Sequence, residues 1–354
     1  MSTITIIMPI YNAEKYLNKC IESIFKQSFW DWSLVCVNDG STDGSLKILK
    51  KWTAKDSRIK CIDQKNQGSV AARKNGVFCE HTKCSKYLMF CDSDDILPPN
   101  ALQILFDTAE ENLADIVCGE TKRILKGIVL PDRFVPPCFS ITSSTNYDKT
   151  GIQDKLLISY YGISDFPVSL WSKLFRTELI QQAMSIENTV RFLGDDLWVS
   201  LQTMIHAEKL TIVPDVVYHY RVGGGTSKFM SYYLSDFIKL YNYKYRIAEE
   251  QKMPQDWRMF INYELMNISK CHIQQCIRLG HFKDEELLNE VIGMCDCPEI
   301  IEAARYLSIS TKNNNSYAGW ILQKDYEKII TFNKDIIEKN RIKQRLKDGI
   351  LRLL

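Results

Sequence analysis

Apolar segments alternate with segments of helical character over the first hundred residues of the chain. Four segments carry enough apolar residues in succession to form buried strands: residues 3–11, 32–39, 58–64 and 86–92. Three intervening segments have the spacing or composition of helices: residues 13–28, 43–55 and 68–81. Strands and helices in this alternation predict a parallel sheet with right-handed crossovers and helices on its faces.

The pattern changes further along the chain. Residues 119–150 contain three prolines and a run of serine and threonine, so we predict an irregular loop or insertion there. A second strand–helix pattern follows to about Tyr220, and beyond a run of three glycines the pattern becomes helical. This predicts an α/β domain over residues 1–228 and a helical domain over residues 229–354.

Polar residues follow each of the four predicted strands. They are Tyr11 and Asn12, Asp39, Gln67 and Gly68, and the run from Asp92 to Asp95. Ligands of parallel sheets bind at the carboxyl ends of the strands. Four polar clusters at one edge of the sheet therefore predict a ligand site at that edge.

The run Asp92-Ser93-Asp94-Asp95 directly follows the fourth apolar segment. Carboxylates this close repel one another unless a cation offsets their charge. Their oxygens suit Mg²⁺ or Mn²⁺, which commonly bridge to substrate phosphates. The alternative is a solvated turn in which an aspartate caps the next helix. Asp39 ends the second strand, and there we expect a ligand contact, whereas Asp43 suits a helix cap.

Composition and charge narrow the class of protein. The chain has 354 residues, of which 45% are hydrophobic and 25% charged, so it can bury a large core. Its net charge of +2 gives no bulk preference for nucleic acid. No apolar run approaches the ~20 residues of a membrane span. The first residues lack the basic and cleavage features of a signal peptide, so we expect a cytoplasmic protein.

Twelve cysteines without an export signal are expected to be reduced, buried thiols. Several cysteines and histidines lie close together in the second half of the sequence. They are Cys271, His272, Cys276, His281, Cys295 and Cys297. This group contains no paired C-x2-C motif, and its spacing resembles no closed structural zinc site. The spacing therefore disfavours zinc.

Six segments of the chain resemble the family 2 glycosyltransferases: IIMPIYNAEKYLNKCIESIFKQSF, VNDGSTDGS, QGSVAARKNG, FCDSDD, WSKLFR and FLGDDLWVS. Their order and spacing match the family over roughly residues 4–230. The resemblance implies the GT-A fold, a Rossmann-like and mostly parallel sheet flanked by helices, here with a C-terminal helical region. It also implies a metal-dependent, inverting enzyme that uses Mn²⁺ or Mg²⁺. Such an enzyme moves a hexosyl-type sugar from a nucleotide sugar, preferably a UDP-sugar, to a carbohydrate or lipid-linked glycan in bacterial-type surface polysaccharide synthesis.

The resemblance further implies roles for particular residues. The donor-binding positions are Pro9, Tyr11 and Asn12 around the nucleobase, Asp39 reading the base, and Gly68, Arg73, Asp92, Ser93 and Arg221 near the rest of the donor. The acceptor-side positions are Asp95, Trp171 and Lys173. Asp94 is the main metal ligand that the resemblance implies, with Asp92 and His219 as further ligands. His219 in an apolar strand also suits a packed core residue.

The family keeps its catalytic base in a Glu-Asp pair, which Asp195 and Asp196 match here with aspartate in place of glutamate. We expect Asp196 to be the base and Asp195 to be second. The base removes the proton of an acceptor hydroxyl as that oxygen attacks the anomeric carbon, and a neighbouring carboxylate raises the pKa toward the working range. The alternative is that the pair caps the following helix.

The last residues, 341–354, form a basic amphipathic pattern. Arg341, Lys343, Arg345, Lys347 and Arg352 alternate with Ile342, Leu346, Ile350, Leu351, Leu353 and Leu354. This pattern suits peripheral attachment to the inner face of an anionic membrane. It equally suits a surface helix whose leucines pack on the protein, and a calmodulin-type target is a weaker alternative.

Other functional classes fit the sequence less well. A sugar-nucleotide nucleotidyltransferase needs a glycine-rich and basic first loop, whereas this chain has PIYNAEKY. A nicotinamide oxidoreductase needs a G-x-G-x-x-G motif after the first strand, which is absent. A catalytically inactive sugar-nucleotide-binding scaffold is the remaining alternative, and it is disfavoured because Asp94, Asp195 and Asp196 are all present.

Overall fold

The computed structural model describes residues 2–125, 127–131, 136–162, 165–186, 194–222, 229–253, 256–310 and 316–351, without the side chains of 195, 310 and 342–351. The chain separates into two compact units, Met1–Thr226 and Ser227–Leu354. The boundary predicted from the sequence lies two residues further along the chain, between 228 and 229.

The first unit is built on one mixed sheet. Its strands are β1 (Ile4–Ile10), β2 (Trp32–Asp39), β3 (Ile59–Gln64), β4 (Tyr87–Phe90), β5 (Ile116–Leu125), β6 (Ile128–Val129), β7 (Thr145–Asp148), β8 (Lys173–Arg176) and β9 (Lys209–Arg221). They lie in the order β3-β2-β1-β4-β8-β5-β9-β7, with β6 paired to β5. The part from β3 to β4 is parallel, β8 runs antiparallel to both of its neighbours, and β5 and β9 are again parallel.

Helices pack on both faces of this sheet. They are α1 (Glu14–Phe25), α2 (Ser45–Lys55), α3 (Ser69–Val77), α4 (Ala101–Asn112), the single turn α5 (Lys149–Gly151), α6 (Thr177–Ser185) and α7 (Asp195–His206). Ile4, Ile6 and Met8 share one core cluster with buried residues of α1 and α4. Ile7 points to the opposite face, where α3 approaches so closely that a Cβ on Gly76 would lie 2.6 Å from its Cγ2. Alternation along β1 therefore supplies apolar contacts to both helical layers.

The four strands and three helices predicted for the first hundred residues are confirmed, with ends shifted by a few residues. The prediction of an irregular segment over residues 119–150 is wrong in large part. Strand β5 continues through Leu125, and β7 pairs antiparallel with β9. The second half of β5 carries polar, partly exposed side chains and pairs with residues about one hundred positions further on, so its sequence shows no strand alternation. Residues 132–135 lie outside the described residues.

The second unit is helical. Its helices are α8 (Tyr233–Glu250), α9 (Asp256–Arg278), α10 (Asp284–Cys295), α11 (Pro298–Ser310), α12 (Ser316–Gln323) and α13 (Tyr326–Leu351). Together with the sheet of the first unit, this region confirms the predicted fold class. In the described part of the chain, no helix is both long enough and apolar enough to span a membrane. The basic pattern of residues 341–354 falls mostly outside the described side chains.

Candidate active site

The loops that follow β1 and β2 are tied together by hydrogen bonds. The backbone N–H of Asn12 donates to the Ser41 hydroxyl (3.0 Å), and the Asn12 side-chain oxygen accepts from the N–H of Thr42 (2.8 Å). Asn12 has a left-handed φ of 51°, a conformation that asparagine tolerates better than most residues. Pro9 lies within β1, and the Tyr11 ring after it is 55% exposed. The exposed ring of Tyr11 therefore lies beside two loops that hydrogen bonds hold together.

Asp39 is buried at the end of β2 and holds the loop that leads into α3. Its carboxylate accepts hydrogen bonds from the Gln64 side chain and from the N–H groups of Gln67 and Gly68, each at 2.8 Å. Gly68 has a φ of 91°, which side chains rarely allow. The predicted contact of Asp39 with a nucleobase stays a prediction; in the structure both carboxylate oxygens fix this loop.

Arg73 brings two of the predicted site residues together. This α3 side chain is only 9% exposed, and its Nη2 lies 3.1 Å from Oδ1 of Asp92 at the end of β4. Its Nη1 lies 3.2 Å from Oδ1 of Asp196 in the first turn of α7. One guanidinium therefore joins the start of the acidic run to the predicted base, although the three residues are far apart in sequence.

The acidic run carries carboxyl groups whose charged forms are disfavoured. The pKa of Asp92 is raised to about 6, chiefly by burial and also by the nearby Asp196 and Asp94 carboxylates, while Arg73 opposes the shift. Burial also raises the pKa of Asp94. Ser93 lies between them and is partly exposed. Oxygen donors of this kind fit Mg²⁺ or Mn²⁺, since a divalent cation would offset the unfavourable charge.

Asp95 turns inward from the same run and supports strand β9. It is 1% exposed, and its carboxyl group accepts hydrogen bonds from the Tyr218 hydroxyl (2.7 Å) and the N–H of Arg221 (2.6 Å). Burial raises the pKa of Asp95 to about 8. A carboxyl group enclosed in this way holds the acidic run to β9. The acceptor-side role predicted for Asp95 stays a prediction.

Arg221 ends β9 beside the acidic run. Its Nε donates to the backbone oxygen of Asp94 (2.5 Å), and its guanidinium lies 4.4 Å from the centre of the Tyr16 ring. A cation is thereby held next to Asp94 by both a hydrogen bond and an aromatic face. This position agrees with the predicted role of Arg221 near the donor diphosphate, a role that stays a prediction.

His219 lies in β9, where its backbone pairs with Ile96. The side chain is partly buried, and burial lowers its pKa, which favours the neutral imidazole. Within the described residues, the ligand atoms of His219, Asp92 and Asp94 do not form a group of three within 4.8 Å of one another. The structure therefore places the two aspartates in the acidic run and does not bring His219 into a common cluster with them.

Lys173 is completely buried at the start of β8. Its Nζ donates to the backbone oxygens of Pro167 (2.7 Å) and Ser169 (2.5 Å). The next residue of this segment, Leu170, directs its N–H at Oδ2 of Asp196, 3.4 Å away. In the structure, the ammonium therefore holds a backbone segment that contacts Asp196. The acceptor-side role predicted for Lys173 stays a prediction.

Trp171 stacks on two tyrosines of β9. Its ring centre lies 5.2 Å from that of Tyr218 and 5.5 Å from that of Tyr220, with nearly parallel planes. The two tyrosines are alternate residues, so their rings project from the same side of the strand. Trp171 and Tyr220 are partly exposed and Tyr218 is fully buried. The three rings connect the acidic run to the segment that precedes β8.

Asp196 is the second residue of α7, and the residue at the N-cap position is Gly194. Asp196 therefore does not cap the helix, and its carboxylate instead meets Arg73 and the Leu170 N–H. Asp195 begins the helix, but its side chain lies outside the description. The assignment of Asp196 as base, with Asp195 second, stays a prediction.

Sequence reasoning missed several residues that shape the site. Tyr218 accepts the N–H of Asp92 (3.0 Å) and donates to Asp95, and so joins β4 to β9. Tyr16 supports Arg221, and the Leu170 N–H contacts Asp196. The run of aromatic residues around His219 was a usable signal for Tyr218. A backbone N–H leaves no signal in a sequence.

Comparison with known proteins identifies the family of the first part of the chain. Residues 5–153 match the family model described as Glycosyl transferase family 2. This part of the chain is therefore a family 2 glycosyltransferase domain, which confirms the resemblance found in its motifs.

The individual relatives agree with this class. "Glycosyltransferase GlyA" of Streptococcus pneumoniae is 31% identical over 229 residues, which are 63% of this chain and 31% of that protein. "Uncharacterized glycosyltransferase EpsJ" of Bacillus subtilis is 30% identical over 222 residues, 62% of this chain and 60% of that protein. The chain thus spans about a third of the length of the first relative and about three fifths of the length of the second.

Solved structures agree on the fold. The crystal structure of S. aureus TarS 1–349 in complex with UDP-GlcNAc is similar with a TM-score of 0.66 and 19% identity, covering 96% of this chain and 92% of that chain. The architecture is therefore the GT-A fold with a helical C-terminal region.

Proposed function

We propose that this protein is an inverting glycosyltransferase that moves a sugar from a UDP-sugar to a carbohydrate or lipid-linked glycan. The observation that carries the proposal is the position of Arg73 between Asp92 and Asp196, at 3.1 Å and 3.2 Å. The Arg73 guanidinium holds Asp92, a carboxylate of the predicted donor site, and Asp196, the predicted base, within one cluster. The UDP-GlcNAc named for the similar S. aureus protein supports the choice of UDP.

Asp196 performs the proton transfer in this mechanism. Its carboxylate takes the proton of the acceptor hydroxyl as that oxygen bonds to the anomeric carbon from the face opposite the leaving group. The bond between the anomeric carbon and the diphosphate oxygen breaks at the same time, and its electron pair leaves with UDP. Arg221, fixed beside Asp94, stabilises the negative charge that develops on the diphosphate.

Asp94, with Asp92, would hold a Mn²⁺ or Mg²⁺ ion, because both offer oxygen ligands whose charge is disfavoured by burial. Such an ion supplies Lewis-acid stabilisation of the leaving diphosphate. His219 is a less favoured ligand, since it does not group with the two acids in the described structure. Trp171 stays on the acceptor side of the proposal, because a partly exposed aromatic ring suits packing against a sugar.

Removal of the Asp94 carboxylate tests the donor half of the proposal. Asp94→Ala should abolish Mn²⁺-dependent binding of UDP, measured by isothermal titration, and should also abolish transfer. Asp107→Ala is the matched control, because Asp107 is an acid on the outer surface of α4 whose side chain accepts from Gln103. Full turnover of the wild-type protein in excess chelator would contradict the metal dependence.

A further inference from the structure

The helical unit contains a second cluster of polar side chains, formed by α9 and α10. His272 and Cys276 are one turn apart on α9 and share a face of that helix. Glu290 reaches the same point from α10. The imidazole nitrogen, the thiol sulfur and a carboxylate oxygen all lie within 4.8 Å of one another. Each of the three is a ligand type that zinc accepts.

The distances are close to those that a bound ion requires. Nε2 of His272 lies 2.7 Å from Oε1 of Glu290 and 3.9 Å from Sγ of Cys276. Tetrahedral zinc with bonds of about 2.0–2.3 Å separates such ligand atoms by roughly 3.3–3.6 Å. The carboxylate would therefore move outward and the thiol inward, each by a fraction of an ångström. Rotation of the Glu290 side chain alone supplies the larger of these movements.

The three side chains of the cluster differ in their exposure to solvent. His272 is 1% exposed and Cys276 is fully buried, whereas the Glu290 side chain is 39% exposed. The imidazole ring is held by stacking on Tyr233, with centres 6.2 Å apart and planes 11° apart. Two ligands are thus preorganised inside the unit. The third, Glu290, is partly exposed to solvent, so water could complete the coordination.

We propose that His272, Cys276 and Glu290 form a binding site for a zinc-type divalent ion that links α9 to α10. An ion pair between His272 and Glu290 alone would not require a thiol nearby. The thiol of Cys276 nevertheless lies in the same group of ligand atoms. The spacing of cysteines and histidines along the sequence hides this site, because its third ligand is a glutamate from the next helix. The site lies within the helical unit and does not depend on the proposed glycosyl transfer.

Cobalt substitution tests the site with a signal specific to the thiol. The full-length protein is stripped with a chelator and titrated with Co²⁺ alone. Wild-type protein should develop a thiolate-to-cobalt charge-transfer band, and added Zn²⁺ should remove it. Cys276→Ser should lose the band. Cys271→Ser should keep it, because Cys271 neighbours His272 in sequence but is exposed and outside the group.

A second measurement keeps the test decisive if a variant folds poorly. Zn²⁺ should raise the melting temperature of the wild-type protein by several degrees, since the ion binds the folded state. Glu290→Gln should reduce that rise while leaving the metal-free melting temperature within a few degrees of wild type. The proposal is overturned if wild-type protein shows neither band nor stabilisation in excess ion, or if Cys276→Ser retains the band. Transferase activity enters neither readout.

Discussion

Arg73 is the residue on which the candidate active site depends most. Its guanidinium neutralises charge on Asp92 and Asp196 at once, in a place where only 9% of the side chain is exposed. Lysine would lose this arrangement, because the two contacts come from two different nitrogens of a planar guanidinium and an ammonium has only one. The contact also positions Asp196 before any substrate binds, so the proposed base is preorganised.

At this scale, Asp196→Asn separates proton transfer from binding. The amide keeps an oxygen that can accept from Arg73 but cannot take a proton. We expect kcat to fall by about 10²–10⁴, the usual contribution of a general base, with the Kd for UDP near wild type. Steady-state kinetics and titration calorimetry measure the two quantities. If Asp195→Asn is inactive and Asp196→Asn is active, the two aspartates exchange roles.

Asp95 makes a prediction about stability and pH. Burial raises its pKa from an ordinary value of 3.8 to about 8. Between these values the folded protein keeps a proton that the unfolded chain has lost, so this group lowers the free energy of unfolding as the pH rises. The loss begins above about pH 4 and is complete above about pH 8.

The Asp95→Asn variant isolates this effect, since an amide does not titrate and still accepts from the Arg221 N–H. Thermal unfolding of wild type and variant across this range should show wild type losing stability relative to the variant as the pH rises. Asp107 is an exposed acid on α4, so the stability of Asp107→Asn should change with pH in parallel with that of wild type. Parallel curves for wild type and Asp95→Asn would show that Asp95 does not carry the raised pKa.

At the scale of elements, the segment before β8 connects a buried lysine to Asp196, the proposed base. Lys173 binds two backbone oxygens of residues 167–169, and Leu170 then contacts Asp196. Leaving a buried polar group without its hydrogen-bond partner lowers the free energy of unfolding by about 1–3 kcal/mol. Lys173→Met keeps the length of the side chain but removes the donor. We expect a melting temperature lower by several degrees and a kcat lower by about tenfold, with UDP binding unchanged.

Lys149→Met is the matched control for this prediction. Lys149 also donates to two backbone oxygens, those of Ile205 and Ala207, but at the far end of α7. It should lower the melting temperature and leave kcat near wild type. Equal losses of kcat in both variants would mean that Lys173 acts only through stability.

Elements were predictable from the sequence where neighbouring residues decide them. Helix α1 carries a clear apolar periodicity and strand β2 a continuous apolar run, so the local pattern suffices. The second half of β5 was predicted to be irregular, because Glu120 to Arg123 are partly exposed on both faces and the strand is fixed by pairing with β9. Long-range pairing of this kind leaves little trace in a local window.

At the scale of the whole molecule, the arrangement of the site also depends on contacts between residues that are distant in sequence. The motifs identified the acidic run and the Asp195–Asp196 pair as chemistry-bearing residues. They did not show that Asp95 turns inward or that Lys173 is fully buried, since both depend on partners that only folding brings near. The link between Asp92 and Asp196 through Arg73 joins β4, α3 and α7, and no spacing in the sequence encodes it.

The central claim is inverting transfer from a nucleotide sugar, and the stereochemistry of donor hydrolysis tests it most directly. The full chain is incubated with UDP-, GDP- and dTDP-sugars and Mn²⁺, and the released sugar is followed by proton NMR before its anomers equilibrate. We expect release of UDP from a UDP-sugar, with the free sugar appearing first in the anomeric configuration opposite to that of the donor. Asp196→Asn should abolish this release. Absence of release from every donor, or first appearance of the donor's own configuration, would contradict the account.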